Sequence, residues 1–225
     1  MTRESYQDNL AELRADVQEM GDLVLDQLDR SLRAIETNDP ELAETVIDRD
    51  ETVNELYFDL ESCCIDLFAL QQPVASDLRF VAASFKIITD LERIGDLATN
   101  LAQYSLGTDQ EWFSDIEIQN IGTDVNEMIE EALIAYETED VERCHAIADR
   151  DDAVDALCQR ASERVVRELI EHESTGTDAW DIEGLLDEVS RILLTIRDLE
   201  RVGDHAVNIA GRTLYMADSD PTLIY

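Results

Sequence analysis

Asp90-Leu91-Glu92-Arg93-Ile94-Gly95-Asp96-Leu97-Ala98-Thr99-Asn100-Leu101-Ala102 returns almost unchanged as Asp198-Leu199-Glu200-Arg201-Val202-Gly203-Asp204-His205-Ala206-Val207-Asn208-Ile209-Ala210. Residue 198 answers 90 and residue 204 answers 96, a constant offset of 108. A repeat at fixed offset predicts two copies of one structural unit. Within each copy the polar residues Glu92, Asp96, Asn100 and Glu200, Asp204, Asn208 fall at i, i+4, i+8, one face of a helix. Like charges stacked at i, i+4 destabilise a helix by roughly 0.2–0.5 kcal/mol per pair. A cation between them reverses that sign.

A second repeated segment lies upstream in each copy. Ile35 to Leu56 matches Tyr136 to Leu157 at an offset of 101. The change from 101 to 108 requires seven extra residues in the second copy, and the polar loop Ser174–Asp178 is the place for them.

Between these anchors the apolar spacing is helical throughout. Leu10, Leu13, Val17, Met20, Val24, Leu28, Leu32 and Ile35 recur every three or four residues. Asn38-Asp39-Pro40 ends that helix and opens the next, with Asp39 as N-cap and Pro40 at the first helical position. The second helix is expected to run unbroken to Gln72-Pro73, and the third from about Ser76 to Leu106. Gly107-Thr108-Asp109 is the expected boundary, after which the plan repeats with helices starting near Ile118, Val141 and Ile182. No alternating strand pattern occurs. The fold class is all-α: two tandem, sequence-related three-helix bundles of six long helices, residues 1–107 and 108–225.

Each bundle carries a second polar pair on its middle helix, Asp50 with Asn54 and Asp151 with Asp155. Asp50 and Asp151 lie on apolar stripes, where an ionised carboxylate is costly unless paired or metal-bound. All-oxygen donor sets suit hard divalent cations, and carboxylates also bridge iron in helical bundles. A charge run on a helix is ordinarily a solvated face, and Arg93 and Arg201 offer local neutralisation. Repetition in both halves favours a cation site. Gly95 and Gly203 each cost a helix about 1 kcal/mol, yet both copies keep one, which close approach of a neighbouring helix would explain. Glu142-Arg143-Cys144-His145 lacks the second copy that di-iron bundles need, so His145 is not assigned as a ligand. His205 is read as a surface histidine in preference to a supporting group. No phosphate-binding loop, serine nucleophile or zinc-protease motif is present.

Composition narrows the function. With 53 Asp and Glu against 17 Lys and Arg, and Lys86 the sole lysine, the net charge is −36. Such a surface repels nucleic acids and anionic membranes. Hydrophobic residues make up 44% of the chain, too many for a disordered acidic tail. The lysine-poor acidity resembles proteins of organisms with molar internal salt, where charge repulsion is screened, and a halophilic archaeal source is expected. Four cysteines, Cys63, Cys64, Cys144 and Cys158, form no CxxC pair and are read as reduced core residues. No leader pattern or membrane-length apolar run is seen, so a cytoplasmic location is expected.

The two Asp-Leu-Glu-Arg-(Ile/Val)-Gly-Asp elements, together with Gln72-Pro73-Val74-Ala75-Ser76-Asp77-Leu78-Arg79, resemble the PhoU family of phosphate-transport regulators over essentially the whole chain. The resemblance implies a non-enzymatic cytoplasmic protein, commonly a homodimer. It implies negative regulation of phosphate uptake through the ATPase subunit of the phosphate ABC transporter and, in bacteria, a signalling kinase. It further implies multinuclear metal clusters, iron or zinc, on E(D)xxxD motifs. Those motifs correspond to Glu92/Asp96, Asp151/Asp155 and Glu200/Asp204, with Asn100 and Asn208 completing ligation. Asp50/Asn54 departs from the pattern at its last residue, which puts the charge and occupancy of that site in doubt. Two rival readings stand beside it: a carboxylate-bridged metalloenzyme, and a metal-free acidic helical adaptor.

Overall fold

The computed structural model describes residues 3–70, 74–106, 117–173 and 179–224. Among these the chain is helical and without strands. The helices are α1 (Arg3–Thr37), α2 (Pro40–Asp48), α3 (Asp50–Leu70), α4 (Ala75–Ser105), α5 (Ile118–Thr138), α6 (Val141–Glu173) and α7 (Ala179–Asp218). Segments α2 and α3 form one interrupted rod, so six rods make two three-helix bundles. The expected breaks at Gln72-Pro73, at Gly107-Thr108-Asp109 and at Ser174–Asp178 lie outside the described residues.

Asp39 caps α2 as expected, its Oδ1 accepting from the N–H groups of Glu41 and Leu42 at 3.1 Å each. The turn before it is copied in the second half. Asn38 and Glu139 both sit in the left-handed region, at φ 50° and 56°. The N–H groups of Asp39 and Asp140 reach back to Ala34 and Ala135 carbonyls at 3.2 and 3.1 Å. This closes the last helical turn over its orphan carbonyls.

The expectation of an unbroken second helix is corrected. The rod is interrupted at Arg49, whose N–H bonds Val46 O at 3.1 Å, and Thr52 N–H then restarts the ladder on Arg49 O at 3.0 Å. The equivalent Arg150 lies inside a continuous α6, bonded at 2.6 Å to Asp124 and 2.5 Å to Glu127. At Asp124's place the first half has Leu23. Of that pair only the mate of Glu127 remains, Asp26, and it stands 3.8 Å from Arg49 Nη1.

The two bundles share one hydrophobic core, which runs from Tyr6 and Leu13 in α1 through Leu91 and Ile94 in α4 to Val202 and Ile209 in α7. Helices α1 and α5 cross about a pseudo-two-fold axis. A Cβ on Gly21 would sit 2.6 Å from Leu133 Cδ atoms, and one on Gly122 would sit 2.6 Å from Leu32 Cδ2. Gln18 donates to Leu133 O at 2.9 Å, and its repeat mate Gln119 donates to Leu32 O at 3.1 Å. Arg14 adds a further tie, donating to Tyr136 O at 2.6 Å and lying over the Phe80 and Tyr136 rings. The third helices, α4 and α7, also pack on each other. Each middle helix therefore lies against its own α4 or α7, where the acidic repeats are.

Candidate functional site

Each acidic set is built by a middle helix approaching a third helix at a glycine. Gly95 brings α4 close to α3, with Val53 Cγ1 3.2 Å from where a Cβ would stand. Gly203 does the same for α7 and α6, and there the atom at 3.1 Å is Asp151 Oδ1 itself. A side chain at 203 would press on the carboxylate. The close approach expected from the sequence is observed in both halves.

In the first half Asp50 is fully engaged. Its Oδ1 accepts from Thr99 Oγ1 at 2.8 Å and its Oδ2 from Asn54 Nδ2 at 3.2 Å. Buried Gln27 on α1 backs this pair, donating to Thr99 Oγ1 at 2.8 Å and to Gly95 O at 3.4 Å. Glu92 and Asp96 on α4 complete the set. Both are held above the ordinary carboxylate range, first by burial, then by Asp96 and Asp50 for Glu92 and by Asp50 for Asp96. Arg93 pulls Glu92 the other way.

The second half differs at every backing position. The same repeat offsets place Met128 where Gln27 stands, Val207 where Thr99 stands and Asp155 where Asn54 stands. Asp151 consequently loses its hydroxyl and amide donors. Its Oδ1 is buried without a hydrogen-bond partner. Burial, then the charges of Asp155, Asp204, Asp152 and Glu200, push Asp151 up to about 6. Glu200 is raised by burial and by Asp155 and Asp204; Asp204 is raised by burial and by Asp155, while His205 and Arg201 oppose. Asp155, Glu200 and Asp204 are exposed, so the set is an open acidic face with Asp151 at its floor.

The structure thus brings Asp50, Asn54, Glu92 and Asp96 together in one half, and Asp151, Asp155, Glu200 and Asp204 in the other. Among the described residues no three His, Cys, Asp or Glu side chains stand close enough together to hold a metal ion as placed. The donors are nonetheless hard oxygens on adjacent helices, and the orphaned Asp151 Oδ1 is an acceptor awaiting a cation or proton. On that observation the donor chemistry of the second set fits a hard cation.

Asn100 is half-buried in the structure, and no hydrogen bond ties it to the acidic set. Asn208 points elsewhere: its Nδ2 donates to Asp90 Oδ1 at 3.3 Å, across the α4–α7 interface. The surface reading of His205 is corrected. It is 7% exposed, and its Nδ1 lies 2.9 Å from the same Asp90 Oδ1. A buried carboxylate between the halves supplies the partner that keeps the ring inside. Asp198, 0% exposed, is the matching group, bound by Arg197 at 2.7 Å and Tyr104 Oη at 3.1 Å. Asp90 and Asp198 are the polar residues sequence reading missed. The signal was available, since Asp90 falls on the Ile87–Ile94–Leu97–Leu101 stripe as Asp50 falls on its own. Cys64, Cys144 and Cys158 are buried, Cys63 is half-buried, and all four are free thiols.

Two fused three-helix bundles, repeats of one unit with carboxylate faces at the helix junctions, define an all-α scaffold. The PhoU domain model matches residues 17–105 and 118–213, and the chain belongs to the PhoU family. It is 32% identical over 219 residues to a Clostridium acetobutylicum protein named phosphate-specific transport system accessory protein PhoU homolog, covering 96% of this chain and 95% of that one. A Methanothermobacter thermautotrophicus protein, named phosphate-specific transport system accessory protein PhoU homolog 1, is 31% identical, covering 94% and 93%. Among solved structures, PhoU from Pseudomonas aeruginosa superposes with a TM-score of 0.84 at 30% identity, over 96% of this chain and all of that one. No helix among the described residues is long and apolar enough to cross a membrane.

Proposed function

We propose that this chain is a non-enzymatic accessory protein that restrains phosphate uptake by a phosphate ABC transporter, acting on the transporter's ATPase subunit from the cytoplasmic side. The observation that carries this is whole-length similarity to proteins named as phosphate-transport accessory proteins, in bacteria and in an archaeon. The duplicated carboxylate faces are the working surfaces. Asp151, Asp155, Glu200 and Asp204 would hold an iron or zinc cluster in the second half, and Asp50, Glu92 and Asp96, with Asn54 oxygen, in the first. A bound cluster supplies a patch of positive charge in an otherwise acidic surface. The chain's own residues would set its strength: Asp151 contributes an unengaged oxygen, while each Asp50 oxygen already accepts one hydrogen bond, from Thr99 or Asn54.

The test is phosphate uptake in a strain lacking this gene, at high external phosphate. Uptake should rise without the protein and return to the restrained level with the wild type, but not with Asp96→Ala/Asp204→Ala. Unchanged uptake on deletion would overturn the reading. Metal content of purified wild type and double mutant, by mass spectrometry, tests the cluster separately. A second reading, a metal-free acidic adaptor, is favoured by the spacing of the carboxylates as they stand. It expects restrained uptake with the double mutant and no stoichiometric metal in either protein.

A further inference from the structure

We infer that the helix break at Arg49 forms an oxyanion-binding pocket, present in the first bundle only and distinct from the carboxylate faces. The interruption between α2 and α3 opens a cavity of about 150 Å³ against α1. Its walls are apolar, from Leu23, Val46 and Val53, and two guanidinium groups, Arg30 and Arg49, stand over them. Both arginines face the same carboxylate. Arg30 Nε lies 2.8 Å from Asp26 Oδ2, and Arg49 Nη1 lies 3.8 Å from that atom, beyond hydrogen-bond distance.

One carboxylate therefore faces two guanidinium groups. Asp26 takes Arg30 through Nε, which leaves the terminal nitrogens of that fork for a second acceptor, and Arg49 makes no hydrogen bond to it. A net positive cluster over apolar walls is the arrangement that focuses field on a small anion, and guanidinium forks match tetrahedral oxyanions through paired donors. In a chain of net charge −36 such a spot is conspicuous.

The second bundle serves as the internal comparison. Arg30 is replaced there by Glu131 and Leu23 by Asp124. Arg150, the mate of Arg49, is saturated by Asp124 and Glu127, and Glu131 is taken by Arg143. Helix α6 is continuous at that point, so the second bundle has neither the break nor the guanidinium pair. Gln27, on the pocket wall, also donates to Thr99, which donates to Asp50. The pocket wall at Gln27 thus lies two hydrogen bonds from Asp50. The choice of phosphate among oxyanions rests on the phosphate-transport reading above.

The test is calorimetric titration of the full-length protein with inorganic phosphate in molar KCl, with and without chelator. Wild type should bind one phosphate per chain in both conditions. Arg30→Glu, which installs the second bundle's residue, should weaken binding at least tenfold, as should the milder Arg49→Gln. Arg160→Glu, on the outer face of α6, makes the same charge change elsewhere and should leave affinity within twofold. No binding by wild type, equal loss in Arg160→Glu, or binding abolished by chelator would overturn the pocket. Sulfate competing as well as phosphate would uphold the oxyanion pocket while severing its link to phosphate transport, so the two readings fail separately.

Discussion

Replacing Asp151 by Asn should stabilise the metal-free protein, and the size of the effect can be worked from the site. Asp151 is pushed from the ordinary 3.8 to about 6, chiefly by burial and then by four neighbouring carboxylates. A rise of that size is equivalent to about 3 kcal/mol, since each tenfold change in proton affinity is worth about 1.4 kcal/mol. The group is half-buried, and solvent screening reduces this to about 1–2 kcal/mol. The sign follows from linkage. A folded-state pKa above the unfolded one contributes stability that is fully present below pH 3.8 and lost as pH rises through about 6. The isosteric carboxamide stays neutral, so Asp151→Asn should gain nothing near pH 4 and about 1–2 kcal/mol at pH 8. Urea unfolding in molar KCl with chelator, at about pH 4 and pH 8, measures both ends. Adding the cognate metal should invert the order at pH 8, because the variant lacks a charged ligand. A variant less stable than wild type at pH 8 without metal, or equally stabilised at both pH values, would refute the electrostatic reasoning.

Asn54→Asp should do the opposite in the first half: it loses the Asn54–Asp50 hydrogen bond and stacks like charges at i, i+4, lowering metal-free stability at pH 8 by about 0.5–1 kcal/mol while raising metal uptake, read by the same unfolding curves and by metal analysis. Val207→Thr restores at Asp151 the hydroxyl that Thr99 gives Asp50, and should pull the Asp151 titration down towards the ordinary range, followed by carboxyl chemical shifts. Gly122→Ala drives a Cβ to 2.6 Å from Leu32 Cδ2 at the bundle crossing and should cost about 1–3 kcal/mol in urea unfolding. Raising KCl from low to molar concentration should raise the melting temperature, since a net charge of −36 is screened at a Debye length of about 3 Å.

The rods and their repetition were legible in the sequence because apolar spacing and offset are local properties. The Asp39 cap and the left-handed turns at Asn38 and Glu139 come from one repeated segment. The interruption at Arg49 was not legible. Asp48-Arg49-Asp50 and Asp149-Arg150-Asp151 are the same tripeptide, and the differences around them lie across the groove, where Leu23 and Arg30 stand against Asp124 and Glu131. The carboxylate sets were legible from i, i+4 spacing. The fate of Asn208 and His205 was not, because Asp90, the group that draws both, belongs to a helix of the other bundle, and fusion of the bundles along α4 and α7 is a tertiary fact.

The same duplication makes the inequality of the two faces interpretable. Thr99 and Asn54, backed by Gln27, give Asp50 neutral donors, so that this carboxylate is satisfied as it stands, although Glu92 and Asp96 beside it still repel. Met128, Val207 and Asp155 surround Asp151 with apolar walls and a further charge, so that the second face carries an unmet acceptor and mutual repulsion. An unsatisfied buried carboxylate is stable only when a proton or cation joins it. On the proposed metal reading, the second bundle is the face whose state would change with cation supply, while Asp50 in the first keeps its hydrogen-bond partners without one. Arg30 and Arg49 line the first bundle's cavity, whereas Glu131 stands at Arg30's place in the second, so the two halves of one shared core differ in local charge as well as in hydrogen bonding.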